Sequence, residues 1–393
     1  MNDIEGNTHG KGRQSARVAV VGLTYPFRGG IAHYSSLFVR ALRQRHDVRF
    51  LTLSRQYPKL LFPGVSQYDY SDQTLAEEGE AIIDSLNPLS WYRAAKILNL
   101  QQPEIIVFQW WHPYFSFAFG SIVRLLNKSL QDRVCFLCHN VLPHESNALQ
   151  TILTKYAFGK ARYFIVHSSQ DRRDLESLKS DAIVRQGYHP TYSEFGSWSS
   201  ISREEAREKL GLPQDANVVL FFGLIRKYKG LHHLIDAMTM LPDHLKCRLV
   251  IAGEFYDDKG PYLSKIAKDG LSEKVQVVDE YIPNEQVSMY FRAANVVALP
   301  YVSATQSGIV QIAFGLGTPV ITTNVGGLPE VVDNGKTGYI VDAEKPQQLA
   351  EAIARYFESN AEEEFSSAIR RETNRFDWNN EIALVEEFLG YAD

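Results

Sequence analysis

Cysteine is scarce, with three residues in a chain of 393, which leaves no disulfide framework and suits a reducing cytoplasm. Long apolar runs are missing as well. The most hydrophobic region, IIVFQWWHPYFSFAFGSIVRLL, is interrupted by Gln109, His112 and Pro113, whereas a membrane-spanning helix needs ~20 mainly apolar residues; no transmembrane helix is expected. Charge of one sign does not accumulate, and a net charge of -5 provides no field that favours nucleic acid. Residues 1–16 are polar with no apolar core and read as a disordered leader, not a secretory signal. No G-x-x-x-x-G-K-[ST] occurs, so the usual signature of phosphoryl transfer from ATP is absent.

What is present describes an ordinary globular chain, 45% apolar and 22% charged, long enough that two cores are the default. Cys135, Cys138 and His139 spell C-x-x-C-H, the haem-attachment pattern. The surrounding RVCFLCHNV reads as a buried strand, on which residues three apart face opposite ways, so the thiols cannot share one porphyrin edge.

From RVAVVGL onward, apolar strand-length runs alternate with amphipathic segments: TYPFRGG leads into IAHYSSLFVRALRQ, and DVRFLTL, EIIVFQW, RVCFLCH and RYFIVHS follow with helical stretches between them. Such alternation implies right-handed βαβ units and a parallel sheet. The periodicity lapses near Tyr192 and a second series begins: VVLFFGL, CRLVIAG, KVQVV, VVALP, PVITT and GYIV, again with helices between. The expected fold class is α/β, two Rossmann-like doubly wound domains facing across a cleft, with ligands at the carboxyl ends of the strands.

Three strand-to-helix turns suit an anion. In LFFGLIRKYKGLHHLIDA, Gly223 ends a strand, Arg226 and Lys229 supply countercharge, and Gly230 opens a helix whose unpaired N–H groups favour a diphosphate. Gly29 and Gly30 in TYPFRGGIAHY allow close backbone approach. Ser307, Gly308 and Ile309 stand at a third helix start. For any one such loop a solvated basic turn is the plain alternative; three, spread over facing halves, favour a ligand.

These motifs resemble those of the family-4 glycosyltransferases of the GT-B fold. The resemblance runs from P-x-x-G-G near the start, through FG-x-I-R-x-Y-K-G, to GTPVITTNVGGLPEVVDNGKTGYIV, and includes the FDW of Phe376–Trp378 before a helix that crosses back onto the first domain. It implies domains at 17–191 plus 375–393 (acceptor side) and 192–374 (donor side). The implied activity is retaining transfer of a hexose from a UDP- or GDP-sugar to a glycan or lipid-linked acceptor in polysaccharide or glycoconjugate synthesis, with no cofactor and no metal. By the same resemblance Arg226 and Lys229 stabilise the departing diphosphate, Ser307, Gly308 and Ile309 contact phosphate, Gly29 and Gly30 form the first-domain glycine loop, and Tyr281 and Ile282 flank the nucleobase. His139, at a strand end near the donor sugar, is the catalytic candidate, with His112 and His144 behind it.

The sequence also departs from the family pattern. The two glutamates of the usual E-x7-E signature are replaced by Ala304 and Ile312; Thr305, Gln306, Ser307 and Gln311 offer neutral hydrogen bonds in a TQSG variant, and Glu330 of GGLPE remains. Loss of the glutamates motivates one alternative, a nucleotide-sugar-binding protein without turnover; a GT-B epimerase acting on the nucleotide sugar itself is the second. Asp257 and Asp258 are expected to face solvent, far from the motifs. Trp110, Trp111, Tyr114, Phe115, Phe117 and Phe119 form an aromatic patch, read as core packing with sugar stacking as the functional alternative. Arg40, Arg43, Arg45 and Arg49 are a basic group read as a solvated helix face, with contact to anionic lipid as the functional alternative. The expected location is cytoplasmic, with peripheral contact at the inner face of the membrane as the corollary of that group.

Overall fold

The computed structural model describes residues 15–58, 66–72, 74–143, 147–196 and 201–390. Seven strands, β1 (Arg17–Gly22), β2 (Asp47–Arg55), β3 (Glu80–Asp84), β4 (Ile105–Trp110), β5 (Val134–Cys138), β6 (Tyr163–Val166) and β7 (Ile183–Gln186), form one sheet in the order 3-2-1-4-5-6-7. Six more, β8 (Asn217–Phe222), β9 (Cys247–Ala252), β10 (Val275–Val278), β11 (Val296–Leu299), β12 (Val320–Thr323) and β13 (Gly338–Val341), form a second in the order 10-9-8-11-12-13. Every pairing is parallel, with Val18 opposite Val48 on one side and Ile105 on the other.

Around the first sheet lie helices α1 (Gly30–Arg43), α2 (Pro88–Gln101), α3 (Ser116–Leu125), α4 (Lys128–Gln131), α5 (Ala148–Phe158) and α6 (Ser169–Leu178). The second sheet carries α7 (Arg203–Leu210), α8 (Leu231–Thr239), α9 (Gly260–Lys268), α10 (Asn284–Ala293), α11 (Gly308–Gly315), α12 (Leu328–Val331), α13 (Pro346–Glu358) and α14 (Glu362–Glu372). The last helix, α15 (Trp378–Phe388), returns to the first sheet and packs on α1.

Parallel sheets covered on both faces need strands that are apolar throughout, and the burial follows the pleat. On β1, Val18 and Val20 enter one apolar cluster while Ala19 and Val21 enter another on the opposite face. Cys135 and Cys138 divide between the same two clusters, so their thiols point away from each other. The cluster on the α1 face continues through Tyr192 and Phe195 into the second sheet, where it takes in Leu220, Leu299 and Val310. Strand order reverses between β1 and β4, and again between β8 and β11. The crevices at these two switch points, at the carboxyl ends of the strands, are where such folds admit ligands.

Of the residues expected to form a leader, 1–14 lie outside those described, whereas Ala16 is buried and donates its N–H to His46 Nδ1 at 3.3 Å.

Candidate active site

The loops at the second switch point bring two cations and a helix start together. After β8 the chain passes Gly223 and reaches Lys229, whose side chain folds back over the loop; a Cβ added to Gly223 would lie 3.4 Å from Lys229 Nζ and 3.1 Å from Ile309 Cδ1. Gly230 makes this return compact. Its φ is 68°, and a Cβ there would meet the Pro300 carbonyl oxygen at 2.0 Å, a position only glycine fills without strain. Lys229 is 9% exposed and sits 5.6 Å from the Tyr301 ring centroid. Burial, and after it the Arg226 charge, bring its ammonium down to about 8. Among the described residues neither Lys229 nor Arg226 has a carboxylate within ion-pair distance.

A helix start completes the cluster. Ser307 caps α11, its Oγ accepting from the Ile309 N–H at 3.3 Å and lying 3.4 Å from the Tyr301 hydroxyl. Gly308 and Ile309 open the helix beside it. The structure therefore brings together Gly223, Arg226, Lys229, Ser307, Gly308 and Ile309: two cations and a helix N-terminus, a combination suited to an anion. Asp257 is exposed, as expected, but it is not remote from the motifs: its carboxylate accepts from the Lys227 N–H and so pins the Arg226 loop.

Across the cleft, at the first switch point, Gly29 (φ 105°) caps α1, and a Cβ on either Gly29 or Gly30 would meet nothing within 4 Å. The glycine loop is thus open to the cleft. Its neighbour Arg28 reaches the second domain, where it pairs with Glu254 at 2.6 Å and donates to the Tyr256 hydroxyl at 3.1 Å. Both partners of that ion pair are nearly buried, at 7% and 8% exposure. His112 caps the turn after β4 by accepting from the Tyr114 N–H, and its imidazole lies low, first from burial and then from the Arg226 charge. His144 lies outside the described residues.

His139 follows β5 directly and is buried. Its Nε2 meets Gln109 Oε1 at 2.7 Å, which puts the ring proton on Nε2, and its carbonyl accepts from Gln306 Nε2 at 2.7 Å. Burial, then the neighbouring His167 and His189, hold its imidazole well below the ordinary 6.5, so it is neutral. Tyr34 packs edge-on at 4.5 Å and donates to Glu381 Oε1 (2.8 Å), which also takes His167 Nε2 at 3.0 Å. Gln109 and Glu381 carry no local sequence signal of these roles, since their partners lie 30 and 347 residues away.

Other expected site residues are engaged elsewhere. Thr305 donates to Asn140 and Gln306 to His139, both on the first-domain loop after β5, so this pair seams the domains with the hydroxyl and amide that were expected to meet a sugar. Glu330 accepts from the Ser169 N–H (2.9 Å), the Ser169 hydroxyl and Gln186 Nε2 (3.0 Å), so its carboxylate caps α6. Tyr281 donates to Asp69 of the first domain (2.9 Å) under the Arg28 guanidinium, and Ile282 is buried in the core. Ala304 and Ile312 are buried among apolar groups. In the aromatic patch, Trp110, Phe115 and Phe119 are core, Trp111 and Tyr114 half-buried, and Phe117 exposed. The basic group is not free for lipid: Arg40 and Arg43 hold Glu77, Arg45 holds Glu386 and Arg49 holds Glu80.

Residues 202–374 match the family model described as "Glycosyl transferases group 1". A D-inositol 3-phosphate glycosyltransferase of Corynebacterium urealyticum is 34% identical over 261 residues, 62% of this chain and 60% of that protein; the match thus covers less than two thirds of the relative's length. The sucrose-phosphate synthase of Thermosynechococcus elongatus superposes with a TM-score of 0.72 at 19% identity, over 95% of this chain and 97% of that one. Anabaena HepE, solved in complex with UDP and also with UDP-glucose, superposes in the UDP complex with a TM-score of 0.71 at 17% identity over 95% and 98%. At such identities the likeness speaks for the fold, which is GT-B.

Proposed function

With a group 1 glycosyl transferase domain over residues 202–374, we propose that this protein transfers a hexose from a UDP- or GDP-sugar, without a metal and with retention of anomeric configuration, to a glycan or lipid-linked acceptor. One observation carries the reading: the nearly buried Lys229 ammonium, with no carboxylate partner among the described residues, stands beside Gly223 and the start of α11 at a switch point. A buried cation left unpaired costs stability, and a diphosphate would repay it. The UDP complex of Anabaena HepE, which shares the fold, supports a uridine nucleotide as the first donor to try.

As the glycosidic bond to the donor breaks, negative charge builds on the departing diphosphate. Lys229 and Arg226 offset it, and the N–H groups that open α11 add fixed donors where they act most strongly on developing charge. Neutral His139, its Nε2–H committed to Gln109, orients the sugar hydroxyls and takes no part as an acid at neutral pH. The glycine loop at Gly29 and Gly30 leaves room for the acceptor half of the reaction.

The test is consumption of UDP- and GDP-hexoses with a panel of glycan and lipid-linked acceptors, the anomeric configuration of the product read by NMR, with and without chelator. Arg226→Ala and Lys229→Ala should each lower turnover by about 100-fold with an unchanged circular dichroism spectrum. Wild-type turnover in either variant would remove the assignment, as would inverted product or dependence on added metal.

A further inference from the structure

His139, Asn140 and Val141 leave β5 as a loop held at each residue. The His139 N–H bonds the Trp110 carbonyl at 2.8 Å, and the His139 carbonyl accepts from Gln306. The Asn140 side chain accepts from Thr305, and the Val141 carbonyl accepts from the Trp110 indole at 3.3 Å. The remaining tie is the Val141 N–H, which donates to Asp171 Oδ1 at 2.9 Å.

Asp171 stands in the first turn of α6, three residues after the capping Ser168, and is fully buried. In a capping box the acidic or amide side chain at this position turns back to the N–H of the capping residue. Here one oxygen accepts from the Ser168 hydroxyl at 2.7 Å and the other from Val141, 30 residues earlier in the chain. The start of α6 has other partners: Ser168 Oγ accepts the Asp171 N–H at 3.0 Å, and Glu330 of the second domain takes the Ser169 N–H at 2.9 Å. Burial raises the Asp171 carboxyl to about 6, against the lowering effect of the hydrogen bonds from Val141 and Ser168. An acid is thus kept in the interior at a cost that helix capping alone does not require. Its distinctive contact is the loop of His139. With no exposed surface and both oxygens bonded, it does not meet substrate and acts through that loop.

We infer that Asp171 is a positioning residue for the transfer reaction: by accepting the Val141 N–H it fixes the loop through which His139 and Asn140 meet the second domain. The kinetic part rests on the transferase reading, whereas the anchor itself is measured without turnover. The experiment pairs donor turnover with hydrogen–deuterium exchange of the full chain. Asp171→Ala should lower kcat by about 100-fold, the scale of a misplacement of about 1 Å, and raise exchange across residues 139–142. Its UDP affinity by calorimetry should match wild type, because Arg226, Lys229 and the start of α11 are untouched. Asp171→Asn keeps an oxygen for Val141 and offers an amide to Ser168 Oγ, so it should restore both kcat and protection. Ser168→Ala removes the cap and leaves the Val141 bond; it should lower Tm while kcat and loop exchange stay at wild type. Unchanged exchange over 139–142 in Asp171→Ala would overturn the anchor, whatever the turnover. If that variant does not fold, a wild-type Val141 amide that exchanges as fast as an unbonded loop amide would overturn it equally, and a protected one would support it. Raised exchange with wild-type kcat would overturn the role in the reaction, as would a Ser168→Ala loss of kcat equal to that of Asp171→Ala, which would reduce Asp171 to a helix cap. Absence of wild-type turnover with every donor and acceptor would count against the transferase reading alone, and exchange would still decide the anchor.

Discussion

The Lys229 ammonium should be a liability in the free protein and an asset once nucleotide arrives. Moving its pKa from the ordinary 10.5 down to about 8, at about 1.4 kcal/mol for each tenfold change in proton affinity, means that keeping it charged at pH 7 costs roughly 3 kcal/mol. Replacing it by methionine, of similar length and without charge, should therefore raise the unfolding free energy at pH 7 by up to about 3 kcal/mol while turnover falls about 100-fold. The sign with pH follows. Between about pH 8 and 10.5 the unfolded chain holds a proton on this lysine that the folded chain has released, so wild-type stability gains from this group as pH rises through that window. Below it the lysine contributes no slope. Urea unfolding of wild type and Lys229→Met at pH 7, 9 and 10.5 measures both quantities, and calorimetry with UDP measures the lost anion site. If Lys229→Met is no more stable at pH 7 and keeps the wild-type rise from pH 8 to 10.5, the ammonium is solvated and the reasoning fails.

Other tests bear on the rest of the cleft. Glu254→Ala leaves the Arg28 guanidinium nearly buried without its carboxylate and should cost about 3 kcal/mol in urea unfolding; a loss below about 0.5 kcal/mol would mean the pair is solvated. Gly230→Ala places a Cβ against the Pro300 carbonyl at a φ of 68° and should destabilise by more than about 2 kcal/mol, seen as a lower Tm, while Gly211→Ala, with open space at its Cβ, should cost less. His139 and His189 are held low by burial, so the unfolded chain takes protons below about pH 6.5 that the folded chain refuses. Stability should fall as pH drops, by up to about 1.4 kcal/mol per pH step and histidine. His139→Gln should flatten that slope in denaturation from pH 7 to 5, and an unchanged slope would place the ring in water.

The fold was legible because parallel sheets covered on both faces demand apolar runs that stand out against their loops. All six strands of the second sheet coincide with such runs. In the first sheet the expected strands correspond to β1, β2, β4, β5 and β6, while β3 and β7 escaped. Both lie at an edge and are half exposed, EAIID and IVRQ, so they lack the continuous apolar signal of the centre. At the site, the cationic loop and the α11 cap could be read because backbone geometry and charge are encoded within a few residues. The destinations of Glu330, Thr305 and Gln306 could not, because each is set by a partner on the other domain: Ser169, Asn140 and the His139 carbonyl. The same limit concealed Glu254 and Glu381, which in sequence look like solvent-facing carboxylates.

The Tyr34–Glu381 hydrogen bond joins the beginning of the chain to its end. A ribosome that has finished β7 must add roughly 190 more residues before Glu381 emerges, about 10 to 40 s at synthesis rates of about 5–20 residues per second. Throughout that interval Tyr34 and His167 have no carboxylate to receive them, while the second sheet is free to assemble on its own local contacts. The nascent chain should therefore mature from its middle outward, and a truncation before Trp378 should leave the early-made half exposed to chaperones and proteases although its entire sheet has been translated.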